Sequence, residues 1–346
     1  MIPLINPLMR SVRTRTEQYL RHIMLSDRKN AFRRLVSRAL SQVIPQKTAS
    51  IRESLSKLRI SIVSNADNEP NLYQQLLWGD YWVKYELTKA LGERGHILTD
   101  KFPDVIIHLF GHPTRLPKSA CKIAWIYSHP DLINPEVLQQ YDKIFCLSSS
   151  FIQKINQMEF EAELMIGATA KKPVQTNIKY DIVFIGNAHV SLPYKRKIVQ
   201  DVGETQYNFK VWGKGWKDYL PGRYYGGEYF DNQKLGELYA SSLIALNDHS
   251  EAMSREGFVA VRIFDILASG GFCISDRNSG IQEIFGDCVP QYESAEHLRE
   301  LIDFYVNNPE KRLGLMEKGR EIALSNTWGK RAEQFLCDII NKMNVS

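Results

Sequence analysis

The chain has 346 residues, 44% hydrophobic and 24% charged, with a formal net charge of +5. That length carries two domains with cores of ordinary size, and the composition is that of a globular protein rather than a disordered or collagen-like one. Five scattered cysteines without a CxxC pair argue for reduced thiols in a cytoplasmic setting and against a disulfide framework or zinc site, and neither a membrane span nor a secretory leader is expected.

Positive charge is concentrated at the front. Arg10, Arg13, Arg15, Arg21, Arg28, Lys29, Arg33, Arg34, Arg38 and Lys47 face only Glu17 and Asp27 there. Apolar residues at partly helical spacing between the arginines predict a basic helical extension over residues 1–50. Such a segment either lies on an anionic membrane surface or packs as a solvated helix on the protein body. Nucleic-acid binding would rest on this segment alone and is not expected.

From residue 58 the texture alternates. LRISIVSN (58–65), DVIIHLFG (104–111), CKIAWIYS (121–128) and YDKIFCLSSS (141–150) are short apolar runs ending in polar turns, and WGDYWVKYELTKALGERGH (78–96) has helical character. Asp80 is placed to cap that helix, and Gly92 or Gly95 to end it. A polar, Pro-containing stretch at 170–179 separates a second set: YDIVFIGN (180–187), a basic helix start at 194–197, NFKVWGKGW (208–216), LIALND (243–248), a helix over 258–269, FCISD (272–276) and ESAEHLRELIDFYV (293–306), the last with Ser294 as its cap. Strands alternating with helices predict two α/β domains with parallel sheets, 51–172 and 173–328, and a terminal helix over 329–346 that packs back on the first domain.

In such sheets ligands bind beyond the carboxyl ends of the strands. Gly186 and Asn187, the WGKGW loop with Gly213, Lys214 and Trp216, Asn247 with His249, and Arg255-Glu256-Gly257-Phe258 all meet that criterion. Arg262 and Asp265 sit at i and i+3 inside the apolar run 258–269. They serve either a charged ligand at the helix N-terminus or a partly buried ion pair that orders the helix. An Arg clamps a phosphate and an Asp accepts from paired ribose hydroxyls, a combination suited to a nucleoside diphosphate.

The run RIFDILASGG, followed by CISDRNSGIQEIFGD and VPQYESAEHLRELIDFYVNNPEKRLGLMEKGREIAL, resembles the donor-site region of GT-B glycosyltransferases, especially the branch related to the spore-maturation protein CgeB. WGDYWVKYELTKALGERGH, YDKIFCLSSS and the terminal Thr327-Trp328 with Arg331 also resemble that branch, so the likeness covers most of 58–340. It implies two Rossmann-like domains facing a central cleft, and transfer of a sugar from a nucleotide-diphosphate sugar to a glycan or lipid-linked acceptor in bacterial surface-polysaccharide or lipopolysaccharide assembly. It also implies no cofactor and no metal, and no DxD-type pair or metal-ligand spacing stands against that. On this reading Arg262, with Lys195 or Arg196, meets the diphosphate, Asp265 the ribose, and the WGKGW loop the base. Asn247, His249 and Glu256 face the donor sugar. Two departures stand out: Asp265 occupies a position where relatives carry Glu, and Glu256 lies one residue further upstream than the sugar-contacting Glu of the retaining group.

The first domain is expected to hold the acceptor. His129 and Asp131 follow a strand and face the cleft, with His129 as base or turn residue; Asp80 is the rival base. A nucleotide-sugar epimerase or a non-catalytic carbohydrate-binding protein on the same fold are the alternatives. A nicotinamide-dependent dehydrogenase is disfavoured because SNADNEPN after the first strand lacks GxGxxG.

Overall fold

The computed structural model describes residues 57–116, 120–188 and 196–344. The basic extension over residues 1–50 lies outside them, and so does Lys195. Among the described residues no helix is long and apolar enough to cross a membrane.

The first sheet contains β1 (Arg59–Val63), β2 (Ile97–Leu98), β3 (Val105–Phe110), β4 (Cys121–Ile126), β5 (Lys143–Cys146) and β6 (Glu163–Leu164). Its order is β2-β1-β3-β4-β5-β6, all parallel. Every residue of β3 is buried, as a central parallel strand covered on both faces requires. The intervening helices are α1 (Leu72–Leu76), α2 (Gly79–Gly92), α3 (Pro135–Leu138) and α4 (Ser149–Gln157), the last capped by Ser148 Oγ, which accepts from the Phe151 N–H.

The second sheet contains β7 (Tyr180–Ile185), β8 (Phe209–Trp212), β9 (Tyr225–Gly227), β10 (Ser242–Asn247), β11 (Cys273–Asp276) and β12 (Gln291–Tyr292), ordered β12-β11-β10-β7-β8-β9 and again parallel. Its helices are α5 (Lys197–Val202), α6 (Leu235–Ala240), α7 (Glu251–Arg255), α8 (Val261–Ala268), α9 (Ser279–Phe285), α10 (Ala295–Asn307) and α11 (Pro309–Leu324). The predicted Ser294 cap of α10 is present.

Two local expectations are corrected. The helix expected over 258–269 begins only at Val261, because Gly257 has a φ of 73° and Phe258 is drawn away into the other domain. Asp80 does not cap α2: Trp78 holds the cap position without a side-chain bond, and Asp80 lies in the first turn. The edge strands β2, β6, β9 and β12 are too short to leave a periodic signature.

The chain crosses between the domains twice, side by side, where Thr169 bridges Thr327 and its N–H donates to Asn326 O at 3.0 Å. After the second crossing α12 (Trp328–Asn344) packs against α2 and the first sheet. Phe335 meets Phe145 and Trp125 edge-on at 5.3 and 6.0 Å, and Trp328 meets Trp125 at 6.1 Å. The Trp125 indole N–H is satisfied by Met165 O at 2.9 Å. The domains are also pinned by the loop before α8. Phe258 is fully buried in the first domain's core, 5.4 Å from the Phe151 ring.

Removing the α12 anchor leaves a cavity between elements from both ends of the chain. Phe335→Ala is expected to cost about 3–5 kcal/mol in urea denaturation. A loss below about 1 kcal/mol would show that the helix does not hold the first domain together.

Candidate functional site

The carboxyl ends of β7, β8 and β10 form the surface on which the sequence reading places the donor. Gly186 and Asn187 follow β7 and are zipped to the loop after β8. Gly186 N–H donates to Trp212 O at 2.9 Å, Lys214 N–H to Asn187 Oδ1 at 3.0 Å, and the Trp216 indole to Gly186 O at 2.6 Å. Only glycine fits at Gly213, with φ 144°, since a Cβ there would lie 2.2 Å from Gly186 O.

Arg262 projects from the first turn of α8 over this loop. Its guanidinium donates to Asn247 Oδ1 at 3.0 Å and lies 5.7 Å from the Phe184 ring centroid. A Cβ on Gly186 would sit 3.4 Å from its Nη2. Arg196 lies nearby, pairing with Asp248 Oδ1 at 2.6 Å. Burial, then the neighbouring Arg196, lower the Arg262 pKa, and Asp248 and Tyr239 oppose that. A guanidinium nevertheless stays charged. Two guanidiniums thus stand together at this end of the sheet, Arg196 paired with a carboxylate and Arg262 bonded to a neutral amide, beside the head of α8.

Asp265 lies one turn further along α8. Thr169 in the first crossing donates to its Oδ1 at 2.6 Å. Burial raises its pKa to about 6, against Lys171, the Thr169 bond and Arg262, while Glu86 from α2 adds to the rise. Arg262 and Asp265 therefore do not form the ion pair that spacing alone allowed: the first bonds an amide, the second a hydroxyl.

Several expected donor contacts are turned elsewhere. Asn247 is fully buried, donates to Ser275 Oγ at 2.9 Å and holds Arg262 rather than facing a sugar. The His249 imidazole is also buried, with Nδ1 2.7 Å from Asp276 Oδ1 and Nε2 accepting from Ala260 N–H at 2.9 Å. Trp216 is packed against Phe184 in the core, so its ring does not border a base. Lys214 of the same loop is exposed.

The Arg255–Phe258 segment is an interdomain contact. The Glu256 carboxylate bonds Lys154 Nζ of α4 at 2.6 Å and Arg255 Nε at 3.0 Å, and its carbonyl accepts from Ser148 and Ser150 Oγ at 2.5 and 3.0 Å. Burial pushes the Glu256 pKa up, but Lys154 and Arg255 together hold it below the usual value. A Cβ on Gly257 would meet the Ser148, Ser150 and Ser279 hydroxyls at 3.0–3.2 Å. This tight joint, rather than a donor sugar, explains these residues.

Across the cleft, Leu77 O lies 3.5 Å from Asn187 Nδ2, so the turn carrying Asp80 overhangs the donor loop. Asp80 is half-buried. Burial raises its pKa, and the neighbouring Tyr127 and His112 stabilise its charged form. His129 follows β4 in a left-handed conformation (φ 51°), with its ring 4.8 Å from His112 and Nδ1 3.1 Å from Ser128 Oγ. Burial, then His112, lower its pKa, and Asp131 opposes them. Asp131 itself is exposed in a short turn. His112 and Tyr127 were not anticipated as site residues, although each ends a predicted strand, which is the signal that marks them. Among the described residues no group of three or more His, Cys, Asp or Glu side chains is arranged to hold a metal ion.

Residues 194–337 match a family described as glycosyl transferase-like. The structure is similar to that of T4 phage β-glucosyltransferase in complex with UDP and Mn2+, with a TM-score of 0.56 at 12% identity over 83% of this chain and 99% of that one. It is also similar to AviGT4, a glycosyltransferase involved in avilamycin A biosynthesis (TM-score 0.58, 16% identity, 84% and 99% covered). Sucrose-phosphate synthase from Thermosynechococcus elongatus aligns with a TM-score of 0.54 at 12% identity over 80% of each chain. No curated protein matches the chain. The GT-B fold expected from the sequence is the fold these likenesses show, and the match to the glycosyl transferase-like family falls in its second half.

Asp265 supplies a pH test. Its folded-state pKa, about 6, lies above the ordinary carboxylate value of 3.8. The folded state therefore binds the extra proton, and the charge costs stability as pH rises through that window. Relative to Asp265→Asn, the wild-type protein is expected to lose stability between pH 4 and about pH 6 and to hold a constant deficit above it. Parallel stability curves for the two proteins in urea would contradict this.

Proposed function

We propose that this protein is a metal-independent glycosyltransferase that moves a sugar from a nucleoside-diphosphate sugar to a hydroxyl of a glycan or lipid-linked acceptor. The observation that carries this reading is the pair of guanidiniums, Arg262 and Arg196, fixed at the carboxyl ends of the donor sheet beside Gly186 and the start of α8. In the reaction the bond from the anomeric carbon to the β-phosphate oxygen breaks and its electrons stay on the phosphate. Arg262, Arg196 and the α8 N–H groups meet that charge without a cation. Asp265 is the proposed ribose partner, steadied by Thr169. The acceptor oxygen bonds the anomeric carbon and gives its proton to Asp80, whose pKa burial raises. His129 and His112 border the same end of the sheet and orient the acceptor.

The setting we propose is surface-polysaccharide or lipopolysaccharide assembly at the cytoplasmic face of a membrane. The support is the excess of arginine and lysine in residues 1–45, which suits anionic lipid.

Two measurements test the chemistry. Arg262→Ala is expected to weaken binding of a nucleoside diphosphate roughly 100-fold in calorimetry; an unchanged affinity would remove the phosphate role. Asp80→Asn is expected to lower transfer roughly 10²–10⁴-fold while leaving donor affinity intact. Full turnover in that variant would pass the proton to another group.

A further inference from the structure

We propose that His249, Asp276, Ser275 and Asn247 form a closed positioning circuit that aims the Arg262 guanidinium, a role that rests on Arg262 binding the donor phosphates. Arg262 Nη1 donates to Asn247 Oδ1 at 3.0 Å, and Asn247 Nδ2 donates to Ser275 Oγ at 2.9 Å. Ser275 Oγ donates to Asp276 Oδ1 at 2.9 Å. The same carboxylate oxygen receives His249 Nδ1 at 2.7 Å, and Asp276 Oδ2 receives the His249 backbone N–H at 3.1 Å. The circuit closes at His249 Nε2, which accepts the Ala260 N–H at 2.9 Å, two residues before Arg262.

Each link has one possible direction. A guanidinium and a backbone N–H can only donate, so the Asn247 oxygen faces Arg262 and His249 Nε2 carries no proton. The Asn247 amide nitrogen must then donate to Ser275, whose own proton goes to Asp276. His249 keeps its proton on Nδ1 for the same carboxylate. Two fixed donors thus drain into one acceptor from both sides. Asn247, Ser275 and the His249 side chain are fully buried, so water does not compete for these bonds.

The consequence is twofold. The circuit ties the residue at the head of α8 to the ends of β10 and β11, which sets the origin of the helix. It also holds the guanidinium through a neutral amide, so no carboxylate neutralises it at its own hydrogen bond. A long flexible side chain ordered before the ligand arrives loses less freedom on binding.

A double-mutant cycle tests this. Wild type, Arg262→Ala, Asn247→Ala, His249→Leu, His249→Gln and Arg262→Ala/His249→Leu are titrated by calorimetry with UDP, GDP, dTDP, CDP and ADP, with melting temperature as the fold control. For the tightest of the five, Arg262→Ala is expected to lose roughly 100-fold, and Asn247→Ala and His249→Leu about tenfold. His249→Gln, which keeps an acceptor for the Ala260 N–H, recovers part of that loss. The double variant binds no more weakly than Arg262→Ala alone, because the circuit acts only through the guanidinium. If the His249→Leu loss instead adds in full to that of Arg262→Ala, or His249→Leu binds as wild type, the circuit is overturned while the role of Arg262 stands. Should His249→Leu fail to fold, the same cycle run with Asn247→Ala decides between these outcomes. If Arg262→Ala binds as wild type, or wild type binds none of the five, the reading of Arg262 fails and the circuit with it.

Discussion

A half-buried guanidinium held by a neutral amide is the interaction on which the second domain's candidate site turns. Most buried arginines are matched to a carboxylate, because an unpaired charge is expensive to desolvate. Arg262 meets Asn247 instead, and the neighbouring Arg196 pairs with Asp248. Arg262 thus meets an uncharged partner at the ends of parallel strands, beside the head of α8.

The second constraint is mechanical. The two halves are joined by adjacent crossings at Thr169 and Thr327, by α12 packed on the first sheet, and by the Glu256–Phe258 loop plugged into the first core. Hydroxyls from Ser148 and Ser150, the Lys154 ammonium and the Phe151 ring all serve that one loop. The head of α8 follows it directly, so the position of the arginine is referred to both domains at once. The same crossing supplies Thr169 to Asp265, which couples the middle of α8 to the linker.

Much of the frame was legible beforehand. Apolar runs such as VIIHLF and CKIAWI are strands because their residues are buried on both sheet faces, and that leaves a mark independent of context. The prominence of Arg262 was visible because a charge inside an apolar helical run is costly unless it has a purpose. The tasks of Asn247, His249, Trp216 and Glu256 were not legible. Each lies at or just beyond the end of a strand or helix, where an inward and an outward side chain read alike. His249 meets a carboxylate far along the chain, Asp276, and Glu256 meets Lys154 from the other domain.

Sequence by itself determined the two α/β halves, the strand ends on which a ligand site could stand, and the arginine and aspartate of α8. These follow from local periodicity and from the price of burying charge, both of which are written in neighbouring residues. Only the tertiary structure decided which polar groups face the cleft and which lock the frame. That choice depends on hydrogen bonds between residues distant in the chain, whose directions are set by the donors and acceptors that folding brings opposite one another.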